Sequence, residues 1–174
     1  IDLDQYHPVP ERDYLEEQGI DHPYLLFVGR ISCQKGILQL LEAMEQLDRT
    51  NLVLCASAPD TPELEREVRD RVNQNPRIKW INQMVAKDKV IQLYSHAAAF
   101  ICPSVYEPFG FLVTPDDPRE LAERIKFALN NPELTAKFKE NGRERVERYF
   151  SWGSIAKRTV DLYQQLTKES VFVK

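Results

Sequence analysis

Cysteine and histidine are scarce in this chain, with three of each: Cys33, Cys55 and Cys102, and His7, His22 and His96. The cysteine count is odd and no C-x-x-C spacing occurs, so no paired-thiol motif is written in the sequence. Cys55 and Cys102 sit in apolar runs and read as small buried hydrophobes. Cys33 falls in a loop without an evident partner base, which argues against a catalytic thiol. The histidines are scattered without metal spacing and read as structural. A basic excess is missing too: 23 Lys and Arg stand against 27 Asp and Glu, a net charge of −4. A nucleic-acid binder would need a basic stripe, so that class is excluded. No apolar run approaches the ~20 residues that span a bilayer. No signal-peptide pattern opens the chain, and the expected location is cytoplasmic. Repeats and low-complexity tracts are also absent. What is present is ordinary for a globular protein: 174 residues, 43% apolar and 29% charged, enough for one domain with a real core.

Short apolar runs alternate with helical patterns. The runs are Tyr24–Val28, Leu52–Ala56, Ile78–Ile81, Ala99–Cys102 and Phe111–Val113. Most are continuously apolar, as parallel strands covered on both faces are. Between them Ile37–Leu47 carries Leu40, Leu41 and Met44 on one face. Asp60-Thr61-Pro62-Glu63 opens the next helix with a capping acid, an early proline and a further acid, and Leu64, Val68 and Val72 form its stripe. A third helix, from about Lys87 to Ala97, is expected to turn Val90, Ile91 and Tyr94 inward. The order is βαβα, which predicts an α/β fold with right-handed crossovers. The end reads as all helix. Asp117-Pro118-Arg119-Glu120 repeats the capping signature before Leu121, Ile125 and Leu129. Asn131-Pro132 starts another helix and Ser151-Trp152 the last, with Ile155, Leu162, Tyr163 and Leu166 as its stripe. Ile1–Pro10 is strand- or linker-like.

Two loops carry the chemistry. Val28-Gly29-Arg30-Ile31-Ser32-Cys33-Gln34-Lys35-Gly36 puts two cations where a strand ends and a helix begins. Backbone N–H groups at a helix N-terminus favour an anion there, and Gly29 and Gly36 let backbone approach a ligand. A diphosphate suits that arrangement. After the fourth run comes Pro103-Ser104-Val105-Tyr106-Glu107-Pro108-Phe109-Gly110, which sets Glu107 between aromatics and beside a stiffening proline. Ligands of open α/β sheets bind beyond the carboxyl ends of the strands. Both loops therefore open on one rim, a place for an anion-plus-hydroxyl site.

Val28-Gly29-Arg30…Lys35-Gly36 followed by Pro103-Ser104…Glu107-Pro108-Phe109-Gly110 resembles the C-terminal half of family 4 GT-B glycosyltransferases. Within that family the chain is most similar to bacterial glycogen synthase-like enzymes. Cys55-Ala56-Ser57-Ala58-Pro59-Asp60-Thr61-Pro62-Glu63, Pro115-Asp116-Asp117-Pro118 and Phe150-Ser151-Trp152 extend the likeness along most of the sequence. The resemblance implies a Rossmann-like three-layer α/β/α domain with a parallel sheet. Residues 21–174 would bind a nucleotide-sugar donor, and residues 1–20 would be an interdomain linker. It assigns Arg30 and Lys35 to the donor diphosphate and Glu107, the first acid of the family's E-x7-E motif, to the transferred sugar. Gly29, Tyr106, Phe109 and Gly110 would line the donor, and the nucleobase would rest near Met84 and Val85. It implies no metal and no cofactor, ADP-glucose or UDP-glucose as donor, and transfer with retention. The glucan or other sugar acceptor would be held by an N-terminal half that this chain does not include.

The chain departs from the family pattern in one internal respect. Eight residues after Glu107 stands Pro115 in place of the motif's second acid. Gly110 runs straight into Phe111-Leu112-Val113, which matches the strand beyond the expected helix. One helix-strand unit, on the order of 30 residues, is missing after Gly110. A non-catalytic nucleotide-binding or assembly module is the competing expectation. An epimerase or phosphorylase of the same architecture is disfavoured by the pairing of the Arg30–Lys35 and Glu107–Gly110 loops.

Overall fold

The computed structural model describes residues 2–103 and 111–169, with side chains given through Gln165. These residues divide into two compact units: residues 8–132, and a second unit made of residues 2–7 with 133–169. Among the described residues no helix is long and apolar enough to cross a membrane.

The larger unit is built on four parallel strands: β1 (Tyr24–Arg30), β2 (Asn51–Ser57), β3 (Ile78–Ile81) and β4 (Ala99–Phe100). Their order across the sheet is β3-β2-β1-β4. Tyr24 faces Asn51 and Arg30 faces Ser57 along the β1–β2 ladder, and Leu25 faces Ala99 across β1–β4. Successive strand residues point to opposite faces, and here both faces are apolar. Leu25, Phe27, Leu52, Leu54 and Ala56 enter one core with α2 (Ile37–Glu45), α3 (Pro62–Gln74) and α5 (Pro118–Asn130). Tyr24, Leu26, Val53 and Cys55 enter the other with α1 (Asp13–Glu17) and α4 (Lys87–His96). The expected three-layer α/β/α architecture follows directly from that two-sided pattern. Burial pushes the Cys55 thiol pKa up. It also pushes the Tyr24 phenol up to about 12, while that hydroxyl donates to the Leu93 carbonyl at 2.8 Å.

Several local expectations are corrected. Phe111–Val113 is not a strand, and the fourth run pairs only over Ala99–Phe100. In α4 the inward residues are Gln92 and Leu93, whereas Val90 and Ile91 are half-buried and Tyr94 is exposed. The cause is polar: the Gln92 side chain accepts from the Tyr14 N–H at 3.0 Å and donates to Asp13 at 2.7 Å, rotating α4 toward α1. Within residues 1–20, Tyr14, Leu15 and Ile20 join the second core. Leu129 of α5 is exposed.

The smaller unit holds α6 (Pro132–Tyr149, whose first residue belongs to the larger unit) and α7 (Trp152–Glu169). Ser151 caps α7 as expected, its hydroxyl accepting from the Ser154 N–H at 3.2 Å. Arg143 donates to the Tyr6 carbonyl at 2.9 Å, tying the N-terminal segment to α6. Ile155, Leu162 and Tyr163, expected as an inward stripe, are exposed.

Candidate functional site

Because all four strands run parallel, the loops after Arg30, Ser57, Ile81 and Phe100 leave the sheet from one edge. That is where doubly wound sheets bind ligands. The loop after β1 is anchored from beneath by Ile31 and Ser32, both fully buried. The Ser32 hydroxyl and carbonyl both accept from the Lys35 N–H, at 3.2 and 3.1 Å, closing a 3-10 turn over Cys33–Lys35. Gly36 ends that turn in the left-handed region, with φ 64°, and α2 starts at the next residue. Among the described residues no side chain caps α2, so its first N–H groups suit solvent or an anion.

The first and fourth loops leave one rim, and Gly36 lies against the backbone of Pro103. A Cβ added to Gly36 would stand 2.4 Å from the Pro103 carbonyl oxygen. Only glycine fits that approach. Gly29 is different, since a Cβ there would meet only the Phe27 ring at an ordinary 3.5 Å. Among the described residues nothing demands glycine at that position. Cys33, Gly36, Gln39, Cys102, Pro103 and Asp117 line a cleft at this junction, with Cys33 exposed and Cys102 half-buried.

Arg30 is exposed and its Nη1 lies 3.6 Å from Oδ1 of Asp60. Lys35 is half-buried, with its backbone fixed by Ser32. Asp60 is placed by the first two loops stitching together: Ile31 N–H donates to the Ser57 carbonyl at 3.1 Å, and Asp60 N–H donates to the Ile31 carbonyl at 3.0 Å. Asp60 is therefore not the cap of α3. Thr61 is, accepting from the Leu64 N–H at 3.2 Å. Pro62 carried the signal that could have assigned this, since proline favours the first helical position and so marks the residue before it as the cap. After β3, Met84 is the most open large apolar side chain among the described residues, 88% exposed, while Val85 packs against the second core. At the start of α5 the predicted cap is present, with Asp117 accepting from the N–H groups of Arg119 and Glu120. The Thr114 N–H donates to Glu120 at 2.8 Å and holds its carboxyl below the usual range.

Tyr106, Glu107, Phe109 and Gly110 lie outside the described residues. Arg30 and Lys35 share the first loop, and Met84 and Val85 stand on the loop after β3 of the same edge. Among the described residues no three His, Cys, Asp or Glu side chains gather as a metal site.

Comparison with known proteins extends this geometry. Residues 12–111 match the family described as Glycosyl transferases group 1. Alpha-maltose-1-phosphate synthase of Mycolicibacterium smegmatis is 31% identical over 204 residues, taking in 92% of this chain and 53% of that protein. Glycogen synthase of Thermodesulfovibrio yellowstonii is 23% identical over 184 residues, 87% of this chain and 37% of that protein. Sucrose-phosphate synthase (tll1590) from Thermosynechococcus elongatus superposes with a TM-score of 0.75 at 27% identity, over 97% of this chain and 51% of that one. The likeness to glycogen synthase expected from the sequence is present, yet identity is higher to the maltose-1-phosphate synthase. The chain spans about half the length of the maltose-1-phosphate and sucrose-phosphate synthases. The stretch aligned with the maltose-1-phosphate synthase is longer than the whole of this chain. That relative thus holds internal residues without a counterpart here, and the family match itself ends at Phe111. With a family match across more than half of its residues, the chain belongs to the glycosyl transferases group 1 family, and its three-layer α/β/α fold with a parallel sheet matches part of GT-B glycosyltransferase structures.

Proposed function

We propose that residues 21–174 are the donor-binding domain of a retaining glycosyltransferase that moves glucose from ADP-glucose or UDP-glucose to a sugar acceptor, with residues 1–20 as an interdomain linker. The observation that carries this reading is the Arg30–Lys35 loop pressed against Pro103 at the carboxyl edge of the sheet. Glycosyl transfer leaves negative charge on the departing diphosphate. Fixed cations and the uncapped N-terminus of α2 stabilise that charge as it develops, in the role a divalent metal fills elsewhere, so the site works without metal or cofactor. Glu107 positions the transferred sugar and is not assigned as a nucleophile. Gly29, Tyr106, Phe109 and Gly110 line the donor, and the exposed Met84 with Val85 offers the nucleobase an apolar rest. The acceptor, a glucan or a small sugar, would be held by residues outside this chain. The maltose-1-phosphate and sucrose-phosphate synthases are named for phosphorylated sugars, which adds a sugar phosphate to the candidate acceptors. The expected location is the cytoplasm.

The test is titration calorimetry with ADP and UDP. Arg30→Ala and Lys35→Ala should each weaken binding by roughly tenfold or more, the worth of a charge-assisted hydrogen bond, with little change in unfolding temperature. Unchanged affinity in both variants would remove the site assignment.

A second reading is a non-catalytic nucleotide-binding or assembly module. It is favoured by the residues that the aligned relative holds and this chain lacks. It is also favoured by the exposure of Phe100 on the edge strand and of Leu112 after it.

A further inference from the structure

We infer that Asp60 is a positioning residue for the diphosphate site, holding one edge of the Arg30 guanidinium so that the other edge is presented to the ligand. This rests on the reading of Arg30 as a diphosphate ligand given above. Three observations carry it. The contact is single and from one side: Nη1 of Arg30 lies 3.6 Å from Oδ1 of Asp60. A guanidinium has five donors in a rigid fork, and a partner at Nη1 leaves the rest of that fork for an oxyanion.

Asp60 is also fixed independently of Arg30. Its N–H is bound to the Ile31 carbonyl, and Ile31 N–H is bound to the Ser57 carbonyl. The backbone that bears this carboxylate thus belongs to the frame of the β1 end itself. Thr61 and Pro62 begin α3 immediately after it, which stiffens the loop on its far side.

Finally, the backbone between Ser57 and Asp60 is strained. Ala58 sits at φ 52°, in the left-handed region that residues with a Cβ rarely occupy. Such a conformation persists only where surrounding contacts impose it, and here it turns the chain so that Asp60 meets Arg30. Asp60 has no capping duty to explain its acid, because Thr61 caps the helix. A long exposed arginine loses rotamer freedom when it grips a ligand, and anchoring one edge beforehand reduces that loss.

The experiment is a double-mutant cycle on the intact chain, read by NMR titration with ADP and with UDP, which reaches millimolar affinities. Asp60→Ala should weaken both nucleotides about two- to fivefold, the range for an exposed ion pair. Asp60→Asn keeps an oxygen acceptor at the same reach and should restore affinity to within about twofold of the unaltered chain. In an Arg30→Ala background, Asp60→Ala should have no effect. A purely structural role for Asp60 would instead give the same loss in both backgrounds, which overturns the inference. So does unchanged or tighter binding in Asp60→Ala, since a carboxylate that merely repels the diphosphate would act that way. If the unaltered chain binds neither nucleotide, the donor-site reading falls and takes this inference with it.

Discussion

Gly36 combines two demands that sequence spacing could not separate. Its φ of 64° disfavours any side chain, and its α-carbon faces a backbone oxygen that cannot swing away. Gly19 shares the first demand, with φ 66°, but has open space around it. Gly36→Ala should therefore cost about 2–3 kcal/mol of stability and Gly19→Ala about 1 kcal/mol, measured by urea unfolding. Equal losses would show that the Pro103 loop yields to a methyl group. Other single residues were legible to different degrees. Arg30 and Lys35 stood out because cations at a strand-to-helix junction have a direct physical use. Asp60 was misread as a helix cap, because an acid beside a threonine fits that role equally well until Pro62 is used to fix the register. Gln92 was invisible as a core residue, since a buried amide reveals itself only through the groups that satisfy it.

At the scale of elements, helices were readable where their ends were written into the sequence. Asp117 and Ser151 cap as expected because capping is a local event within four residues. β4 is shorter than its apolar run and Phe111–Val113 forms no strand, because an apolar run becomes a strand only when a neighbour pairs with it. The last two helices show the same limit differently. The described residues of α6 and α7 include none that is buried, although α7 carries Trp152, Ile155, Leu162 and Tyr163. Most helical stability in proteins comes from packing an apolar face. Backbone amides of α6 and α7 should accordingly exchange with solvent far sooner than those of β1 and β2, which are buried from both faces. Hydrogen exchange followed by mass spectrometry measures this. Comparable protection in the helices and the sheet would mean that their stripes are covered in solution.

For the molecule as a whole, the two-sided apolar strands made the α/β class plain, whereas the division at Pro8 and Pro132 was not marked by any shift in composition. The two functional readings also part at this scale. A donor domain whose partner half lies elsewhere should be monomeric when isolated. An assembly module should associate through exposed apolar residues such as Phe100 and Leu112. Sedimentation equilibrium at micromolar concentration decides between them. A monomer that binds ADP or UDP supports the donor domain, and a discrete oligomer without nucleotide affinity supports the module.

The sheet order has a consequence for how the protein is made. β1, made before the other three strands of this sheet, ends at an inner position with β2 on one side and β4 on the other. A nascent chain therefore carries Tyr24–Val28 without a partner until Asn51–Ser57 has left the ribosome, and keeps its second flank open until Ala99–Phe100 follows. Closing the nearer pair first is entropically cheaper, so the β1–β2 ladder should form before β4 is added. During that interval an apolar strand is available to whatever meets it, and the ribosome-bound chain is vulnerable to aggregation and accessible to chaperones.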